Sequence, residues 1–528
     1  MVGSLIDLAG VDSQLDVTTD ICIIGGGVAG QTLAADLLKS DINVTILESG
    51  DRDFRHDTQS LTNGQNTGLP YYDLETTRLR MFGGTAAIWG GRCAELDTID
   101  FETRDYIAHS GWPIKKTDLD PFYTETFLTL GLDRPEGLWR KLGRSRPPFD
   151  KDKIESGLWV FDEEGERFTD VTRLGLGGCD IILNATVTEM AKTDSGQIMH
   201  VVAKSLGGQI AMVKAKVFVL AAGAIDSCRL LMTVGDGLGN QHDILGRYFM
   251  EHPHARGGEI ITDNPASVLS LLPRAIRHNG KRYAAYLRPS KTLQQEAGIL
   301  NTSLSITMRR REGQSMESYR SLTNKLKHDL PSSRFWRQLY KSGKSLAVKG
   351  LEVTDPWSSV MNLKASRGKN GIFAVIRAEQ SPNPESRVEL SVEKDAMGLP
   401  KANLNWQLQD IDKKSVRVLM ETLGEEMRRL GHGDVQPSDW LYKEGMVWKT
   451  DPLISAHPIG GYHHMGGLRM SDSSRKGVVD ANCKLHESPN LYVAGSGVFP
   501  TGGWANPTIT IMALALRLGA HLRQKPIF

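Results

Sequence analysis

Three short apolar runs, far apart along the chain, each end at a glycine. They cover residues 20–26, 216–222 and 490–494. Each has a polar first residue and is apolar from there to the glycine, the pattern of a strand buried on both faces. After the first run, residues 29–39 place apolar side chains at helical spacing, with Leu33, Leu37 and Leu38 on one side. Residues 43–48 then return as a strand ending Val-Thr-Ile-Leu-Glu. That β–α–β order predicts a parallel sheet. A helix is predicted over 226–232, behind the second run, and an apolar helix over 508–522 closes the chain. Strand-then-glycine endings at three distant places predict one discontinuous nucleotide-binding domain. Its ligand is expected at the carboxyl ends of the strands.

Between these pieces the texture changes. From 257 to about 450 the chain shows alternating runs, such as 284–287, 300–308 and 372–379, which predict a second, antiparallel sheet suited to holding a substrate. Inside it, residues 309–349 carry eleven Lys or Arg against three acids. The plain reading is a solvated helical insertion. Its aromatics, Tyr319, Phe335, Trp336 and Tyr340, support the alternative of a docking face for a membrane surface, an acidic partner or another subunit.

Composition narrows the class. A chain of 528 residues can build two or three cores, and a net charge of +1 makes no global electrostatic case for nucleic acid. No apolar run reaches the roughly 18–20 residues that span a bilayer. Residues 1–17 hold acids and no basic residue, unlike a secretion signal. The five cysteines are scattered without Cys-x-x-Cys spacing, so they read as buried small hydrophobes rather than a disulfide framework or a zinc site. A cytoplasmic location is expected on these grounds.

Gly25, Gly27 and Gly30 form Gly-x-Gly-x-x-Gly between the first strand and its helix, and Glu48 ends the next strand. The first glycine permits the turn, the second lets backbone approach a pyrophosphate, and the third lets helix and strand pack closely. Glu48 can accept hydrogen bonds from ribose hydroxyls. The motif alone does not separate NAD from FAD.

Residues 80–92, Arg-Met-Phe-Gly-Gly-Thr-Ala-Ala-Ile-Trp-Gly-Gly-Arg, form a loop of small residues that permits close approach to a flat ring or a ribityl chain. With that loop, Ala-Ala-Gly-Ala-Ile-Asp-Ser at 221–227, Tyr-His-His-Met-Gly-Gly at 462–467, Ala-Gly-Ser at 494–496 and Ala-Asn-Pro-Thr at 505–508, most of the chain resembles the glucose–methanol–choline (GMC) family of FAD oxidoreductases. The middle region matches more loosely, though residues 379–388 resemble bacterial members acting on sugars and sugar acids. The resemblance implies a Rossmann-like α/β FAD-binding domain with a second α+β domain. It implies FAD contacts at Gly83, Gly84, Thr85, Trp89, Gly90, Val187, Ala222, Gly495, Ser496, Asn506, Pro507 and Thr508, in addition to the motif residues. Where some members bond FAD covalently through a histidine, this chain has Ile88, so non-covalent FAD is expected.

The family's base matches His463, and its second active-site position matches Asn506. A histidine titrates near working pH, and an amide can both donate to and accept from a hydroxyl. His464, as the neighbour in an extended segment, is expected to face away. His464, Arg92, Gln380 and Trp504 are weaker candidates for substrate contact. His252 and His254 are a metal-like pair without a third ligand. They are read as structural, as is His457, and no metal is assigned.

The expected division is an FAD domain from 1–110, 170–260 and 453–528, a helical and loop lid at 111–169, and a substrate domain at 261–452. The expected reaction is FAD-dependent oxidation of an alcohol, on a sugar, glycoside or polyol, with the C3 hydroxyl of a glycoside as one target. His463 takes the proton and flavin N5 the hydride. Oxygen, a quinone or a redox protein then accepts the electrons. The alternatives are a non-sugar alcohol, or a non-redox lyase on the same fold.

Overall fold

The computed structural model describes residues 3–164, 167–273, 275–311, 368–454 and 457–525. The basic stretch at 309–349 lies outside the described residues beyond its first three positions.

The first sheet has the order Leu5–Asp7, Asp180–Leu183, Val44–Leu47, Leu15–Ile24, Ile210–Leu220, Ile198–Lys204, Thr186–Lys192, and Leu491–Val493 also pairs with Ile210–Leu220. The pairings from Leu5–Asp7 across to Ile210–Leu220, and that of Leu491–Val493, are parallel. Thus all three glycine-ended runs do meet side by side. Alternation explains why both faces are covered. Ile21 and Ile23 point to one side, where they pack with Leu33 and Leu37 of helix Val28–Leu37 and with Leu518 and Leu522 of helix Thr508–Arg523. Cys22 and Ile24 point to the other side, into the main core.

The second sheet is antiparallel, as expected, in the order Asp434–Pro437, His254–Ile261, Asn370–Arg377, Ser303–Arg310, Lys281–Pro289, Ile154–Phe161, Arg92–Cys93. Helix Asp410–Arg429 backs it with Val416, Leu419, Met420 and Leu423. Its membership corrects the expected division. The segment 111–169 is not only a lid of helices and loops, because Ile154–Phe161 pairs along its length with Lys281–Pro289. Trp159 of that strand is buried between the sheet and the main core, and such burial outweighs the loop-like composition that precedes it. His254–Ile261 likewise belongs to this sheet, although all of it but Ile261 falls in the stretch assigned to the FAD domain. All five cysteines are buried and free.

Candidate active site

Two distant parts of the chain build opposite ends of one cavity of about 540 Å³. At one end is the glycine turn. Gly25 has φ +116° and donates its N–H to the Leu47 carbonyl at 2.8 Å. A Cβ on Gly30 would sit 2.1 Å from the Gly25 carbonyl oxygen, so only glycine lets the helix lie this close to the strand. Glu48 ends the neighbouring strand. Its carboxylate accepts the Gly26 N–H at 2.8 Å and the Gly50 N–H at 2.7 Å, which fixes it at the cavity wall.

The cavity's surroundings test whether a dinucleotide fits. Three helices begin at its wall, after Gly27, Gly223 and Pro507, and none of the three has a side-chain cap. Their first backbone N–H groups therefore have no capping side chain to take their hydrogen bonds, and each helix presents the positive end of its dipole at the cavity wall. That is a site for an anion such as a pyrophosphate. Cβ atoms added at Gly27, Gly90, Gly223 or Gly495 would meet nothing within 4 Å, so these positions leave room for a ligand rather than for neighbouring protein. The residues present fit FAD.

The sequence-predicted contacts distribute unevenly. Gly25, Gly27, Glu48, Gly84, Thr85, Trp89, Gly90, Val187 and Ala222 line the cavity, as do Gly495, Ser496, Asn506, Pro507 and Thr508. Gly30 and Gly83 do not. Gly30 acts through packing, and Gly83 (φ +95°) docks its loop by donating its N–H to the Gly26 carbonyl at 2.9 Å. Ile88 is at the wall, where its side chain has no nucleophile to offer.

At the other end stands His463. Its Nε2 lies 3.0 Å from Asn506 Nδ2, so the two residues singled out from the tail are hydrogen-bonded neighbours at the cavity wall. Tyr462, in the left-handed region at φ +60°, bends the chain just before it. The bend is held by Tyr72, whose ring meets Tyr462 edge-on at 4.8 Å and whose hydroxyl accepts the N–H groups of Ile459 and Gly460. His464 also borders the cavity, but its ring is engaged by different partners. Its Nε2 is 3.1 Å from Tyr71 Oη, and its ring packs on Phe249. Burial lowers the basicity of both rings. His463 lies well below the ordinary value, with His252, His254 and Arg377 adding to the effect, and His464 falls to about 3.

Two substrate candidates are corrected. Gln380 is fully buried. Its Oε1 accepts from Glu251 N–H and Trp406 Nε1–H, and its Nε2 donates to the Gln407 and Phe249 carbonyls. With every polar position used by the framework it has none for a sugar. Trp504 is also core: its ring lies 4.2 Å from Tyr286, and Nε1 donates to Asp97 Oδ2 at 2.6 Å. Arg92 does border the cavity, with its guanidinium 4.5 Å from the centre of the Trp159 ring.

Sequence reasoning missed Glu251 and His252. The carboxylate of Glu251 accepts from Tyr71 Oη–H, His252 N–H, Gly461 N–H and His463 N–H. Burial pushes it up to about 7 against these four bonds. His252 Nδ1 is 2.8 Å from His463 Nδ1. The available signal was an acid and a histidine side by side after an apolar Tyr-Phe-Met run. The histidine was read as half of a metal-like pair and set aside.

The comparisons agree with this geometry. A family model described as FAD dependent oxidoreductase matches residues 20–290, just over half the chain, and one described as GMC oxidoreductase matches 382–515. The chain belongs to the GMC family. As a GMC protein it is an FAD-dependent oxidoreductase acting on CH–OH groups. Curated GMC relatives include the fructose dehydrogenase large subunit of Gluconobacter japonicus, 21% identical over 96% of this chain and 98% of that one. Another is paromamine 6'-oxidase of Streptomyces fradiae, 22% identical over 95% and 91%. Among solved structures, pyridoxine 4-oxidase superposes with a TM-score of 0.54 at 15% identity, covering 96% of this chain and 99% of that one, which shows the shared GMC fold.

Proposed function

We propose that this protein oxidises a hydroxyl of a sugar, glycoside or polyol, with His463 as the base and Asn506 as the hydroxyl's second partner. The observation that carries the reading is the 3.0 Å pairing of His463 Nε2 with Asn506 Nδ2 at the wall of the FAD-type cavity. In that pair an imidazole lone pair and an amide N–H satisfy each other. The same two groups are complementary to the hydrogen and the oxygen of one carbinol. Asn506 donates to the substrate oxygen and orients it; His463 Nε2 receives the hydroxyl proton as the C–O bond gains double-bond character. Bound FAD supplies the hydride acceptor, N5 of its ring. Burial keeps His463 neutral and so ready to take a proton at working pH.

The sugar class is supported by the printed activities of relatives: fructose dehydrogenase, paromamine 6'-oxidase and, over 24% of this chain at 30% identity, a C-glycoside 3-oxidase of Microbacterium trichothecenolyticum. That local match supports a glycoside C3 hydroxyl as the first target to try. The antiparallel sheet, which includes the strands Arg92–Cys93, Ile154–Phe161 and His254–Ile261, supplies the substrate side. Arg92 and several histidines line the cavity there. The test is anaerobic mixing of the yellow holoenzyme with glycosides, polyols and simple alcohols, with the product position read by NMR. Bleaching by glycosides or polyols is expected. Bleaching only by non-sugar alcohols would reject the substrate class, and product formation without bleaching would reject the reaction. Reoxidation of the bleached enzyme by oxygen, a quinone or a redox protein identifies the acceptor.

A further inference from the structure

The Glu251–His252 pair, which the proposed reaction does not use directly, grips His463 from two sides. Residues 250–253 run antiparallel to 460–465. Met250 and Met465 exchange both backbone hydrogen bonds, at 2.8 and 2.9 Å, and Pro253 bridges to Gly460. Within this ladder the Glu251 carboxylate binds the His463 backbone N–H. The His252 ring crosses that of His463 at 80°, with centroids 5.0 Å apart.

The hydrogen positions follow from the partners. His252 Nε2 is 2.8 Å from the Gly503 carbonyl oxygen, which can only accept. The proton of a neutral His252 is therefore on Nε2, and its Nδ1 is a bare acceptor. That Nδ1 is 2.8 Å from His463 Nδ1, so the hydrogen between them belongs to His463. A neutral His463 protonated at Nδ1 has a free lone pair at Nε2. Asn506 reports the same assignment independently, since its Nδ2–H needs an acceptor there. The order Gly503 C=O, His252, His463, Asn506 is self-consistent in one direction only.

We propose that His252 is a positioning residue that fixes the tautomer of His463, holding its proton on Nδ1 so that Nε2 is always presented as the base. The catalytic consequence rests on the reading of His463 as base; the tautomer itself does not. When Nε2 takes a proton from substrate, the Nδ1–H bond to His252 is kept and strengthened by the new charge, with no proton moved along the pair. The titratable and charged groups around His463 are His252, His254, His464, Arg377 and Glu251. Arg377 among them carries a fixed positive charge, and the neutral His252 Nδ1 accepts the His463 Nδ1–H as the cation forms.

The experiment uses the holoenzyme labelled with 15N-histidine, together with His252→Phe and His252→Asn. Phenylalanine keeps ring bulk without an acceptor. The Oδ1 of asparagine can replace His252 Nδ1. The wild type is expected to show His463 protonated at Nδ1 and bare at Nε2. His252→Phe is expected to keep its flavin but slow flavin reduction by about 10–100-fold, the range for losing a group that orients a reacting one. The substrate concentration for half-saturation should change little, and part of the His463 signal should move to the Nε2–H form. His252→Asn is expected to recover most of the rate and the Nδ1–H signal. A wild-type His463 protonated at Nε2 would overturn the proposal whether or not either variant folds. So would a His252→Phe enzyme that reduces at the wild-type rate. A His463→Ala enzyme that reduces normally would instead refute the base assignment, and the NMR result would still decide the tautomer.

Discussion

The two ends of the cavity are made of different material. At the glycine turn, function lies in the backbone: what matters is where a side chain is missing, at Gly25, Gly27 and Gly30, and where helix N–H groups are left uncapped. At His463, function lies in side chains supplied by segments far apart in sequence, with Asn506 43 residues and His252 211 residues away. The first kind of site is written locally and has few ways to vary. The second depends on a fold that brings the partners together, and each partner alone looks ordinary.

Substitutions can break or sharpen this contrast. The largest effect is expected from His463→Ala, which should keep the flavin's yellow colour but slow reduction about 100- to 10,000-fold, measured by anaerobic stopped flow. At the backbone end, Gly30→Val should act on folding instead. Its Cβ would strike the Gly25 carbonyl, costing about 1–3 kcal/mol in denaturant melts and releasing flavin. Gly27→Ala separates cradle from scaffold, because its Cβ meets only open space. Melting of the flavin-free protein should be nearly unchanged while flavin affinity falls, by flavin fluorescence titration. A loss of apo stability there would mean that Gly27 is a packing residue. Acidity gives a smaller signal. Because burial holds His463 below 6.5, the base stays neutral as pH falls, and the acid limb of kcat/KM should lie below pH 6.5. A limb above that value would contradict the buried, neutral imidazole. The smallest effect is expected from Trp504→Phe, which removes the bond to Asp97 and should cost about 1.5 kcal/mol of stability with KM unchanged. A raised KM would restore Trp504 as a sugar platform.

Legibility in the sequence followed the same line. The parallel sheet, its glycine turn and the closing helix were all predicted within a few residues, because strands buried on both faces and glycines at turns leave strong local patterns. That His463 and Asn506 lie side by side at the cavity wall was legible through family motifs. Trp504 and Gln380 misled because a motif places a residue near a site but does not say which way its side chain points. Gln380 turns its amide into the framework, toward Trp406. Ile154–Phe161 was hidden because its pairing partner lies more than a hundred residues on, and its half-exposed beginning has no clean alternation. Glu251 and His252 were hidden because their side chains pair with Tyr71 and with the 461–503 region, which no local window includes.

The strand Leu491–Val493 fills the place beside Phe218–Leu220 in the central sheet, and His463, Asn506 and one of the three helices that begin at the cavity wall all come from beyond residue 462. A nascent chain emerging from the ribosome therefore exposes an unsatisfied edge on the strand Ile210–Leu220 until Leu491–Val493 has been synthesised. Loading of the prosthetic group must come late, once the helix Thr508–Arg523 has emerged. Chains that stop before Leu491 should be colourless and prone to clump, and supplying flavin during expression should rescue only chains that extend through the helix Thr508–Arg523.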